Sequence, residues 1–445
     1  MRDKATFEFS RRFLLRGALG GVGMLSLKPL TRVLAQDAAA AAAGRRFVAC
    51  YLSGGWDVLL GPDPRDPSRS YPGIDLGTER LAQEYQDPIP VSLGGTETLW
   101  GASMAALVPH ADLVTLFRGM NMNTVSHDTA RLYSHTAIEP DNTLAKGDSI
   151  GTIAAAAFDD GKLIPNAAIQ VESFNKKFDN RFTAFQMSDP DEISDLVGLN
   201  RNRLPDYLET MLRDTLDSAK SCVSPEYQGR LPQDQLELSR DRLKRIQDQD
   251  LGRRFDFYSG GAEMDAIRSL YNINDRAGEA AATAAQLLRT ELSSAVTAEL
   301  SGGFDTHDGR WSTRQPEQLR RAFDAVGALV THLREDDPNF ERTTVVVYSE
   351  FSRTPRINGD GGRDHWFNDS VVVLGSSLRN GVFGASNEDD LGLISVDPVT
   401  GRPTADGIQL KPEHVFGTLV KSLGGDPFDF REITLDDWIN VEVTP

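Results

Sequence analysis

Cysteine is nearly missing from this chain of 445 residues: there are two, Cys50 and Cys222, too few for a disulfide framework or a thiolate zinc site. Cys50 lies in the apolar run Phe47 to Leu52 and reads as a small buried hydrophobe. Positive charge is also short, with 47 Lys and Arg against 65 Asp and Glu and a net charge of -18. Such a balance opposes binding to nucleic acid or to anionic lipid, and nucleic acid is excluded as a partner. Long hydrophobic runs are wanting: the mild apolar stretch Gly17 to Leu27 is too short and glycine-rich to span a bilayer, so no transmembrane span is expected in the mature chain. The 39 Gly and 22 Pro follow no period, which excludes collagen and low complexity. What is left is a soluble globular protein with room for two or three units or one large α/β domain.

At the N-terminus, Ser10, Arg11, Arg12, Phe13, Leu14 and Leu15 match the twin-arginine export pattern, and Val33, Leu34 and Ala35 make a small-residue cleavage site. Residues 1–35 are therefore expected to be a signal peptide read by the twin-arginine translocon and cleaved near Ala35. The mature protein would be periplasmic or extracellular. Its 40 basic and 63 acidic residues would carry a net charge of -23. Because this route serves proteins that fold before crossing, often around a cofactor, it hints at a bound metal. The alanine-rich segment 36–45 reads as a linker.

Strand signals recur along 46–445. Arg46 to Leu52 is a buried strand ending at Ser53-Gly54-Gly55; Leu113 to Phe117 follows a helix end, and Ala167 to Val171 is a further candidate. Ser126 can cap a helix running through Ala130 to Ala137. Between about 189 and 300 the composition shifts to Leu, Arg, Gln, Asp and Ala at helical spacing, as in Tyr207-Leu208-Met211-Leu212 and Leu236-Leu238-Leu243-Ile246, which reads as a helical insertion. Leu319 to Leu333 is an amphipathic helix, and Thr343 to Ser349 and Ser370 to Leu374 are β-branched strands. Buried strands alternating with helices predict an α/β fold with a mostly parallel sheet covered on both faces.

Four acidic residues fall just after strands or in loops near them: Asp57, Asp305, Glu350 and Asp364. Sites in open α/β sheets assemble at the carboxyl ends of strands. A carboxylate there can equally be a helix cap or turn former. If the four converge, their repulsion calls for cations, and divalent metals are the usual answer. Two of only seven histidines stand beside them, His307 two residues after Asp305 and His365 next to Asp364. Imidazole mixed with carboxylate favours zinc, manganese or iron. His127 opens the helix after Ser126, as a ligand or acid-base group or as a structural residue. Ser126 itself, with Thr124 as the alternative, suits a nucleophile at a helix N-terminus, where free N–H groups stabilise an incoming phosphate or sulfate, or else it is only an N-cap. Arg353, Arg356 and Arg363 could clamp a tetrahedral oxyanion or merely neutralise the surplus carboxylates.

The series Leu52 to Asp57 (LSGGWD), Ser126-His127, Phe304 to His307 (FDTH), Tyr348 to Arg356 (YSEFSRTPR) and Gly361 to His365 (GGRDH) resembles the domain-of-unknown-function 1501 proteins, exported bacterial members of the alkaline phosphatase/sulfatase superfamily. The resemblance covers about Arg46 to Asn440. It implies an alkaline-phosphatase-like three-layer sandwich carrying the helical insertion. By position, it also implies metal roles for Asp57, Asp305, His307, Glu350, Asp364 and His365 and a nucleophile at Ser126 or Thr124, beside the catalytic role for His127 and the substrate contacts from Arg353 and Arg363 that the residues themselves suggest. One or two divalent ions, zinc or manganese, would be the cofactor and a small anionic ester the substrate. Departures are visible: Phe351 stands where the superfamily has a histidine, and Asp305 and His307 are more tightly spaced than usual. Three activities fit these residues: a metal-dependent hydrolase of phosphate or sulfate esters, a non-catalytic metal- or anion-binding protein with a surface-assembly role, or a metal-dependent transferase.

Overall fold

A computed structural model describes residues 44–190 apart from 142, residues 251–426 and residues 435–439, with 192, 193, 207 and 211 as isolated positions. The expected signal peptide 1–35, most of the linker, Cys222 and nearly all of the insertion before 251 lie outside the described residues. The fold is carried by the compact unit Ala42–Pro445.

Its centre is β1 (Arg46–Leu52), buried at every position. Alternate side chains point to opposite faces of a strand, so Val48, Cys50 and Leu52 enter one hydrophobic cluster while Phe47, Ala49 and Tyr51 enter another. The strands β2 (Ile89–Leu93) and β3 (Thr96–Trp100) form a small separate hairpin. In the main sheet β1 is joined by β4 (Val114–Asn121), β5 (Asn166–Ile169), β6 (Phe185–Met187), β7 (Ala295–Ser301) and β8 (Thr343–Tyr348). A two-stranded ribbon of β9 (Ser352–Arg353) and β10 (His365–Trp366) precedes β11 (Asn368–Leu374) and β12 (Gly381–Gly384). The eight-stranded order is β12-β4-β11-β8-β1-β7-β5-β6. All neighbours pair in parallel except β11, which runs antiparallel to both β4 and β8.

Helices cover both faces. On one side lie α1 (His127–Thr136), α2 (Ile150–Phe158) and, late in the chain, α6 (Pro412–Ser422). On the other lie α3 (Ala262–Leu270), α4 (Arg276–Arg289) and α5 (Trp311–Asp336). The mostly parallel three-layer α/β sandwich is thus the architecture found. Among the described residues, no helix is long and apolar enough to cross a membrane.

One boundary needs correction. The expected helical insertion reached about 300, yet Ala295–Ser301 is β7, held between β1 and β5. Ala295, Ala298, Glu299 and Leu300 favour helix on their own, but pairing on both edges and burial override a weak intrinsic preference.

Candidate metal centre

Five adjacent strands, β4, β11, β8, β1 and β7, bring the relevant loops to one end of the sheet. β4, β8, β1 and β7 present their carboxyl ends there, followed by His127, Glu350, Asp57 and Asp305 respectively. Antiparallel β11 presents its start, so the preceding Asp364 and His365 arrive at the same end.

Three imidazoles aim Nε2 at one carboxylate oxygen. From Asp305 Oδ1, His307 Nε2 lies at 2.8 Å, His365 Nε2 at 3.1 Å and His127 Nε2 at 3.4 Å. The Nε2 atoms of His307 and His365 are 3.0 Å apart. Among the described residues, His127, Asp305 and His365 offer ligand atoms that all lie within 4.8 Å of one another. With Asp305 46 % exposed and the three histidines 22–43 %, the cluster opens to solvent rather than being sealed, as a structural metal site would be.

Each ring is fixed from behind through Nδ1. Glu350 Oε1 lies 2.9 Å from His127 Nδ1, Asp364 Oδ1 2.8 Å from His307 Nδ1, and the Val125 carbonyl 2.7 Å from His365 Nδ1. An acceptor at Nδ1 holds the proton there and leaves Nε2 a lone pair, which is how metal-ligating histidines are usually oriented. His127 Nε2 is buried and has no hydrogen-bond partner. Burial would raise the carboxyl of Asp305, but the close contacts of His365 and Arg353 outweigh it and hold the group well below the usual range. For His127, burial disfavours the cation, and the hydrogen bond and charge of Glu350 more than reverse this, so its pKa is raised.

The other expected ligands stand elsewhere. Glu350 is 2 % exposed, and its oxygens are taken by Gly54 N at 2.8 Å, Tyr51 OH at 2.9 Å and Ser349 Oγ at 3.0 Å as well as by His127. It orients His127 rather than reaching the centre. Asp364 does the same for His307, itself fixed by Asn358 Nδ2 at 3.0 Å. Asp57 is fully buried away from the cluster: its Oδ1 caps a 3₁₀ turn through Leu59 N at 3.0 Å, and its Oδ2 accepts from Trp311 Nε1 at 2.8 Å and pairs with Arg363 Nε at 3.0 Å. Neither arginine assigned to substrate is free for it. Arg363 also donates to the carbonyls of Thr354 and Asp75 and lies over the Trp311 ring. Arg353 donates to the carbonyls of Gly54, Gly55 and Arg363 and to Asp305 at 2.9 Å. The third arginine, Arg356, holds the carbonyls of Pro72 and Gly73.

Ser126 is the N-cap of α1, yet its side chain makes no cap hydrogen bond, so the exposed hydroxyl is not spent on the helix. Thr124 Oγ1 instead accepts from Ser126 N at 3.2 Å. Tyr51, Asn358 and Trp311 were not singled out from sequence. Each is one member of an ordinary strand, loop or helix whose partner lies far along the chain.

No curated protein matches the chain significantly. Among solved structures, it is similar to the lipoteichoic acid synthase LtaP from Listeria monocytogenes, at 11 % identity over 91 % of this chain and 78 % of that one, with a TM-score of 0.37. It is also similar to alkaline phosphatase from the Antarctic bacterium TAB5, at 12 % identity over 85 % of this chain and 98 % of that one, TM-score 0.33. A 2-O GAG sulfatase matches at 10 % identity over 88 % of this chain and 73 % of that one, TM-score 0.32. The family model described as "Protein of unknown function (DUF1501)" matches residues 202–430, which include Asp305, His307, Glu350, Asp364 and His365, and the chain belongs to that family.

Proposed function

We propose that this protein is an exported, metal-dependent hydrolase of phosphate or sulfate esters. The observation that carries the reading is the convergence of imidazole Nε2 atoms on Asp305 Oδ1, beside the start of a helix whose N-cap hydroxyl is uncommitted. Asp305, His307 and His365 would hold a divalent ion, zinc or manganese. When bound, such an ion supplies a Lewis acid that polarises the ester and eases deprotonation of an attacking hydroxyl.

The remaining work falls to the chain itself. Ser126 offers the nucleophilic hydroxyl at the start of α1, where the positive end of the helix dipole favours an arriving anionic group. Glu350 and Asp364 keep His127 and His307 in the tautomer that turns Nε2 inward. Arg353 fixes Asp305 and the Gly54-Gly55 turn, so the acidic ligand cannot swing away. Residues 1–35 would direct the folded protein through the twin-arginine translocon, and replacing Arg11 and Arg12 with lysine should then leave precursor in the cytoplasm.

A second reading, a non-catalytic metal- or anion-binding protein, draws support from the commitment of Arg353 and Arg363 to backbone carbonyls and carboxylates. The two are separated by a screen of phosphate and sulfate esters on metal-loaded protein. Ser126→Ala should lower turnover by orders of magnitude with metal content unchanged, and Thr124→Ala should not. Absence of turnover on every ester would favour the binding protein, and full activity of Ser126→Ala would remove the covalent mechanism.

A further inference from the structure

The resemblance noted in the sequence allows one or two metals and places Asp57 among their ligands. The side chains disagree. We infer that the site is built for a single divalent cation with His127 as its fourth ligand, and that Arg353 and Arg363 occupy the electrostatic place of a second. The inference rests on the metal-binding reading above but differs from it in stoichiometry and in the role of His127.

Donor count supports four ligands at one point. Three rings have Nδ1 engaged by an acceptor, so three Nε2 lone pairs face one carboxylate oxygen. With the ring protons on Nδ1, the Nε2 lone pairs lie 2.8–3.4 Å from Asp305 Oδ1, a crowding of acceptors that a cation among them relieves. His127 is tied to the group by its ring as well, edge-on to His365 with centroids 4.4 Å apart. Its orphaned Nε2 is what a ligand without its metal looks like.

Donors for a second ion are used up. Asp57 accepts from Leu59 N and Trp311 Nε1 and is neutralised by Arg363, with neither partner of the ion pair exposed. Glu350 has two neighbours on each oxygen. Phe351 supplies a fully buried phenyl ring where the resemblance implies an imidazole. Arg353 is close enough to feel the charges of Asp305, Glu350 and Asp57 together. Two guanidinium groups bring the charge of one divalent ion, and unlike a metal they cannot leave. A one-metal centre with a permanent cationic wall results.

The test is stoichiometry. Full-length mature protein is stripped with chelator, titrated with Zn²⁺ and separately Mn²⁺, passed through a desalting column, and its metal measured by mass spectrometry. One ion per chain is expected. His127→Ala should weaken binding at least tenfold, the scale on which even supporting groups act, while Asp57→Asn, if its melting transition shows it folded, should still bind one ion with affinity within about threefold. Two retained ions per chain, or a His127→Ala variant that binds like the parent, would overturn the inference while leaving an ester hydrolase possible. Retention of no metal would overturn this inference and the metal-dependent reading alike.

Discussion

Asp57 and Arg363 meet at 3.0 Å with neither side chain accessible to solvent. The pair joins the turn after β1 to the loop before β10. Burial would lower the affinity of Arg363 for its proton, and the charges of Asp57 and Asp75 restore it in part. Removing one partner of such a pair strands the other's charge in a low-dielectric interior. Arg363→Met should therefore cost about 3–5 kcal/mol in urea unfolding. A loss under about 1 kcal/mol would mean that Asp57 is solvated or otherwise compensated.

The turn after β1 makes a second prediction. Gly54 and Gly55 have φ of +113° and +74°, a region that L side chains rarely adopt. A Cβ on Gly54 would stand 2.8 Å from the backbone N of Phe304, and neither chain segment can yield without shifting Asp305 or the Gly54 N–H that Glu350 accepts. Gly54→Ala should lose at least about 1–3 kcal/mol of stability and weaken metal binding as well. Measurement of both on the same preparation checks the coupling; unaffected metal affinity in a destabilised variant would show that the turn does not position the ligands.

Acid sensitivity should come from His135, which is buried beneath the sheet with Nδ1 2.9 Å from Tyr348 OH. Burial first, and the nearby Arg131 second, push its pKa down to about 3, against a small opposing effect of Glu350. Since the folded value lies below the unfolded one, the unfolded chain binds the extra proton between about pH 6.5 and 3. Stability from this residue is full above that window and drains as pH falls through it. Between pH 7 and 5 the parent should lose ~2 kcal/mol more than His135→Gln. Equal losses would place the acid-sensitive group elsewhere.

Much of this arrangement could be read in advance, for identifiable reasons. Arg46–Leu52 and Thr343–Tyr348 are short, wholly buried runs that carry their own signal, and Asp305, His307 and His365 stood out as rare histidines beside carboxylates at strand ends. Direction was not visible in β11, because a strand's hydrophobicity is the same whichever way it runs. Nor was the displacement of Asp57 and Glu350 from the ligand set. Both follow from partners remote in sequence: Arg363 and Trp311 for Asp57, and Tyr51, Gly54 and His127 for Glu350. Acidic residues announce negative charge, while the choice between a metal and an arginine as counter-ion is made only once the chain is folded. His127 was flagged through its place beside Ser126, but the ligand role proposed for it depends on where Glu350 turns its ring.

Three imidazoles and Asp305 are proposed to meet at one cation. X-ray absorption spectroscopy of the zinc-loaded protein reads this directly, since imidazole rings give a multiple-scattering signature that carboxylates and water lack. Three imidazoles with Zn–N of about 2.0–2.1 Å and one oxygen at a similar distance are expected, falling to two imidazoles in His127→Ala. A coordination shell of oxygens with one imidazole or none would contradict it.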